Sequence, residues 1–184
     1  MKKLTFFSVL ALIISIAYLQ SCSKVAQLLQ YNVPLQSGSV TINIPPTSDT
    51  SAGASGTANN SINIDSVIKA YTGNVLGVSN ITSVKLKSAT MTLQNADSAD
   101  NFQNFSTCYV SFTTNTASPY QINIANNPNT YATSLTIPVD STVELKGYLN
   151  GNQFTYTAGG QLRASTTKTL NCVVTFTFNI HVQG

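Results

Sequence analysis

The stretch Leu170–Val182, LNCVVTFTFNIHV, decides the fold. Leu170, Cys172, Val174, Phe176, Phe178, Ile180 and Val182 fall on one parity. Asn171, Thr175, Thr177, Asn179, His181 and then Gln183 fall on the other, with Val173 the exception. Alternation sustained over that length is a strand with one buried and one wet face, the pattern of an antiparallel sheet. Its persistence predicts a central place in that sheet.

The rest of the chain is written in the same period. Val40, Ile42 and Ile44 alternate with Thr41 and Asn43 until Pro45-Pro46 stops them. In Ser83–Asn95, Val84 and Leu86 face one way with Lys85 and Lys87 opposite. Ala89, Met91 and Leu93 then continue on the other parity, so a bulge is expected near Ser88. Cys108, Val110 and Phe112 share a face of a strand over 105–114; Tyr120, Ile122 and Ile124 make another, and Leu135 and Ile137 a short one closed by Pro138. Val143, Leu145 and Leu149 lead into Asn150-Gly151, a type I′ hairpin signal, with Phe154, Tyr156 and Ala158 returning and Gly159-Gly160 as a break or bulge. Only Ile64, Val67, Ile68 and Tyr71 fall at helical spacing, with Asn63 or Asp65 as cap and Gly73 as stop. Residues 45–61 show no apolar period and are expected to be a flexible loop. The fold class is therefore all-β: an antiparallel β-sandwich, immunoglobulin-like or jelly-roll-like, of about eight strands with one short helix, in a single domain over 40–184.

Composition narrows the function. The 184 residues carry 9 Lys+Arg against 6 Asp+Glu, and 8% charge is too little for an electrostatic binder of nucleic acid. At 42% hydrophobic the chain is not a disordered one. Ser, Thr, Asn and Gln make up 74 of the 184 residues, so the polarity is uncharged.

The N-terminus reads as an address. Met1-Lys2-Lys3 precedes the apolar run Leu4–Leu19, whose length suits a secretory signal better than a span of about 20 residues. Leu19-Gln20-Ser21-Cys22 follows. These residues resemble the lipobox of bacterial lipoproteins, and the ending SCSK is similar to those of the Bacteroidota; Gln20 departs from the commonest choice. The resemblance implies a signal peptide over 1–21 and a diacylglycerol and further acyl chain such as palmitate on Cys22. Ser23 after the cysteine implies the outer membrane. No acidic cluster follows, which favours a periplasm-facing orientation over surface exposure. The alternative is an ordinary signal cut near Ser21 with Cys22 an incidental thiol. Residues 22–39 are then expected to be a lipidated tether, spanning at most about 55 Å. The segment Ile64–Asn104 is similar to small uncharacterised Bacteroidota lipoproteins and implies no activity.

Few residues carry chemistry. Cys108 and Cys172 both take inward parity, and a disulfide closing that loop would stabilise by about 4 kcal/mol in the loop-entropy model; the other reading is two buried free thiols. His181, the single His, sits on a wet face with no nucleophile motif, and no enzyme is expected. Asn95, Asp97 and Asp100 cluster in a turn without the spacing of a calcium loop, so neither a metal nor a cofactor is expected. Asp-Ser-X at Ser66, Ser98 and Ser141 resembles the O-glycosylation sites of Bacteroidota exported proteins, and reads equally as cap and turn chemistry. Tyr109, Tyr131, Tyr148 and Tyr156 are candidates for stacking on sugar rings. The expected function is a non-enzymatic, lipid-anchored envelope protein acting as an interaction or structural module, with an outer-membrane protein as partner. The alternative is a glycan- or ligand-binding accessory lipoprotein of an outer-membrane uptake system.

Overall fold

The computed structural model describes residues 29–115 and 117–184. The signal peptide over 1–21, Cys22 and the first part of the tether lie outside the described residues. Among the described residues are nine strands: β1 (Gln30–Gln36), β2 (Val40–Ile44), β3 (Gly53–Ser61), β4 (Ile81–Leu93), β5 (Cys108–Thr114), β6 (Ala117–Ile124), β7 (Ser134–Ile137), β8 (Gln153–Gln161) and β9 (Leu170–Gln183). One helix, α1 (Ile64–Tyr71), joins β3 to β4. Asn63 caps it, its side chain accepting from Ser66 N at 3.0 Å.

The pairing is nested. β2 pairs with β9, β3 with β8, β4 with β7 and β5 with β6, all antiparallel. That is one long hairpin of paired arms folded over on itself. The further pairs β9–β4 and β8–β5 knit the arms into two sheets, with strand orders β1-β9-β4-β7 and β3-β8-β5-β6. Of the two sandwich types the sequence allows, this nesting is the jelly roll. β9 is central, with β1 and β2 along one side and β4 along the other. Its alternate residues from Leu170 to Val182 are buried. β4 carries the expected bulge, its register against β9 shifting between Leu86 and Ser88.

Four expectations are corrected. The tether is strand from Gln30: β1 places Tyr31, Val33 and Leu35 on the inward side and pairs Gln30 with Gln183. β1 and β2 form one interrupted edge, broken at Ser37–Ser39. There Ser37 N donates to Phe176 O, and the Ser37 hydroxyl accepts from Phe176 N, so the break costs no backbone bond. Gly38 takes the positive φ of 74° that the kink requires. Second, the loop expected over 45–61 is strand from Gly53. Its inward positions are Ala54, Gly56 and Ala58, small because β2 passes close by: a Cβ on Gly56 would lie 2.1 Å from Asn43 O. A strand whose buried face is Gly and Ala carries no apolar period. Third, Asn150-Gly151 does not turn a hairpin. Val84 N donates to Glu144 Oε1, and Leu145 N donates to Val84 O, so this stretch is pinned to β4. Leu145 and Leu149 are buried from a 3₁₀ turn over Lys146–Asn150. Fourth, Gly159-Gly160 does not break β8, which runs through to Gln161.

Candidate functional site

The sheets define two ends. At one, β1 begins, β9 finishes and β4 starts: Gln30 lies opposite Gln183 and Ile81 opposite Val182. At the other, β9 begins, and Ile44 and Leu93 lie beside Leu170 and Cys172. Eleven residues of strand separate the two levels, about 35 Å.

The second end is a polar cap built from buried side chains. Asp100, Asn101, Asn104, Asn127 and Thr166 are all buried there. Such groups are costly unless bonded, and these are bonded to loop backbone. Asn104 Nδ2 donates to Ala99 O and Ser165 O, and Asn104 Oδ1 accepts from Asn101 N. Asn127 Nδ2 donates to Phe102 O at 2.7 Å and to Phe105 O at 3.0 Å. The Asp100 carboxylate accepts from Thr167 N and the Thr167 hydroxyl. Arg163 donates from Nη1 to Gln103 O and from Nη2 to Asn127 O. Three loops are thereby locked together around a concavity of about 220 Å³ lined by Ser98, Asn101, Gln103, Asn104, Asn129 and Arg163. Gln103 Nε2 donates to Asn129 Oδ1 at its rim. Tyr131, two residues on, is 57% exposed, and its neighbour Ala132 is tied to both Asn101 and Phe102. Amides beside a fixed guanidinium make this concavity able to hydrogen-bond a polar ligand.

The acids of the Asn95–Asp100 turn are engaged in bonds within the cap. Asp97 accepts from Lys168 Nζ, Ala99 N and Asp100 N, and these bonds hold it at about 2. Among the described residues no cluster of His, Cys, Asp and Glu could hold a metal ion. The Asp-Ser-X serines are all exposed: Ser66 in the first turn of α1, Ser98 in the polar cap, Ser141 beyond β7. Asp97 accepts local bonds as above and Asp140 accepts from Thr142, whereas Asp65 accepts from Val78 N, thirteen residues on. The motif's turn chemistry is thus in use at Asp97 and Asp140.

Cys108 and Cys172 are buried and face each other across the sandwich as free thiols, so the expected disulfide is not formed in this structure. Burial pushes each up to about 12, and at Cys172 the adjacent Cys108 adds to the rise. His181 lies on the outer face and shares a 3.0 Å hydrogen bond with Asn32 Oδ1, a cross-strand pair rather than a reactive centre.

The tyrosines divide. Tyr156 is fully buried between Phe154 and Phe176, ring centroids 6.0 and 5.6 Å away, and cannot reach a sugar. Its hydroxyl is buried without a hydrogen-bond partner. Burial raises it well above the usual phenol range, with the adjacent Ser37 side chain pulling weakly the other way. Tyr148 packs on Phe112 and Tyr120, and Tyr109 is half-buried. Tyr131 remains as the exposed candidate. The polar cap itself was not singled out from sequence; the density of Asn over 95–104 and 123–129 was the available signal.

Glu144 gives a pH prediction. Burial opposes its charge, but bonds from Ser83, Val84 and Lys146 and the nearby Lys85 outweigh that and hold it at about 2. A carboxyl lowered by folding stabilises fully above its unfolded range and loses this as pH falls toward the folded value. Stability should therefore fall from about pH 5 to about pH 2. Melting temperatures across that window should fall less for Glu144→Gln than for the wild type.

No protein-family profile matches the chain, and no curated protein does. Solved structures that resemble it include Desmodium yellow mottle tymovirus, at 12% identity and a TM-score of 0.31, covering 85% of this chain and 87% of that one. A Macrobrachium rosenbergii nodavirus particle gives 8% and 0.31, covering 85% and 96%. Turnip yellow mosaic virus gives 13% and 0.30, covering 85% and 94%. Likenesses this distant say nothing about the site.

Proposed function

We propose that this chain is a non-enzymatic lipoprotein of the bacterial cell envelope, anchored through Cys22 in the outer membrane and facing the periplasm. Its jelly roll serves as an interaction module. One observation carries this reading: the N-terminal strand starts at one end of the sandwich, and the polar cap lies at the other. An anchor upstream of β1 would hold the first end at the membrane and present the cap to a partner. Among the described residues no helix is long and apolar enough to cross a membrane.

The test is partition. Wild-type protein should stay with membranes after a high-salt wash, and Cys22→Ala should be released. Titration of reduced, denatured wild-type protein should find two reactive thiols of the three cysteines, Cys22 being blocked as a thioether. Three reactive thiols, or a Cys22→Ala chain that stays with the membrane, would sink the anchor.

A second reading has its own observation, the polar concavity lined by Gln103, Asn129 and Arg163, with the exposed Tyr131 two residues along the chain from Asn129. We propose glycan or ligand binding there as the alternative to a protein partner. Crosslinking in native membranes separates them. One stoichiometric protein partner favours the first reading. Saturable glycan binding abolished by Tyr131→Ala favours the second.

A further inference from the structure

We propose that the end of the sandwich from which β1 starts is a membrane-seating surface, with Tyr71, Val75 and Val78 resting in the headgroup layer of the bilayer. This rests on the Cys22 anchor proposed above. Among the described residues four large apolar side chains are exposed, and three of them are Tyr71, Val75 and Val78. They fall in one short segment, the last residue of α1 and the turn that follows it.

That segment is fastened to the end where the chain comes in. Asn80 Nδ2 donates to Gln183 O, and Gln183 pairs with Gln30 at the start of β1. Gly184 N donates to Leu29 O beside it. Val78 N donates to Asp65 Oδ1, which ties the turn back to α1. The helix itself packs on β1.

Chain length fixes what lies opposite. From Cys22 to Leu29 the backbone reaches at most about 25 Å, less than half of what a tether to residue 39 would allow. An acyl chain on Cys22 therefore keeps this end, and not the polar cap, near the headgroups. The chemistry of the end suits a bilayer better than a charged partner. The Asp65–Lys69 pair, 2.6 Å apart, is self-neutralising. Tyr71 adds an aromatic ring with a polar tip, the kind of side chain favoured at membrane interfaces. Apolar side chains set a few ångströms into the headgroup boundary add buried apolar area to the acyl chains on Cys22.

The chain contains no Trp, so a single substitution supplies a unique fluorophore. Full-length Val75→Trp and Tyr131→Trp proteins, processed in bacterial cells, would be placed in phosphatidylethanolamine–phosphatidylglycerol vesicles with brominated acyl chains. Val78→Trp serves as a second near-end probe, and circular dichroism checks each fold. The mass of the N-terminal peptide reports the lipid on Cys22. We expect emission at the near-end positions to be quenched relative to unbrominated vesicles and, in the unbrominated vesicles, blue-shifted relative to the Tyr131→Trp probe, which bromine leaves unchanged. A lipidated protein with no loss at positions 75 and 78, or with equal loss at 131, overturns the seating and leaves the anchor standing. An N-terminal peptide without lipid overturns the anchor and the seating with it.

Discussion

Phe112→Ala should destabilise the domain by about 3–5 kcal/mol, the range for removing a buried Phe and leaving a cavity. Phe112 is fully buried on β5 and is the hub of the aromatic core. Its ring meets Phe176 at 5.1 Å, Tyr148 at 5.2 Å, Phe178 at 5.3 Å and Tyr120 at 5.5 Å between centroids. Three of these contacts are edge-on, which adds to simple area burial. The site cannot easily collapse. Phe176 and Phe178 are fixed on the central strand of the other sheet, and Tyr120 is held on β6 directly opposite Phe112. The contacts join both sheets and the 3₁₀ turn carrying Tyr148, so the loss should appear as one cooperative shift of the denaturation midpoint. Tyr131→Ala, at an exposed position, should lie within about 0.5 kcal/mol of the wild type. A Phe112→Ala protein as stable as the Tyr131→Ala control would mean that the two sheets do not share this core.

The parts legible in the sequence were those where large apolar side chains mark the buried face. β9 is the clearest, because every inward residue from Leu170 to Val182 is large or is Cys. The bulge at Ser88 was legible because parity switches across it, and α1 because Asn63 stands where a cap must. The fold failed to show where the inward face is made of something else. β3 buries Gly and Ala against β2, so close approach replaces apolar bulk. β1 does carry an inward period at Tyr31, Val33 and Leu35, masked by Pro34. That proline sits on an outward position of an edge strand, paired with Asn179, where its missing N–H costs little. The nested pairing is non-local and has no local signature. The polar cap escaped for a related reason: Asn104 and Asn127 read as turn residues, and only the fold brings them beside Arg163.

Gly160→Ala should be nearly as damaging, at or above the upper end of the about 1–3 kcal/mol that overpacking usually costs. The φ at this position is not the difficulty; space is. A Cβ on Gly160 would lie 1.9 Å from Thr107 O and 3.1 Å from a Phe105 ring carbon. The first contact is with backbone, so no rotamer relieves it. Ser106 N and its hydroxyl both donate to Gln161 O, and Gln161 N donates to Thr107 Oγ1, so the two segments are clamped on either side of the clash. Relief requires moving the 105–107 segment off β8. That would disturb Asn127, which bonds Phe105 O and Ser106 O, and through it the polar cap. The variant should therefore lose order first at the cap, seen as faster amide exchange over 101–107 and 126–132, as well as a lower midpoint. Gly147→Ala is the control: nothing lies within 4 Å of its Cβ, and it should be neutral or gain up to about 1 kcal/mol by restricting the unfolded chain. Equal effects from the two substitutions would mean that β8 and the cap are not packed as closely as the Gly160 contact requires, and the rigid presentation of Tyr131 and Arg163 would fall with it.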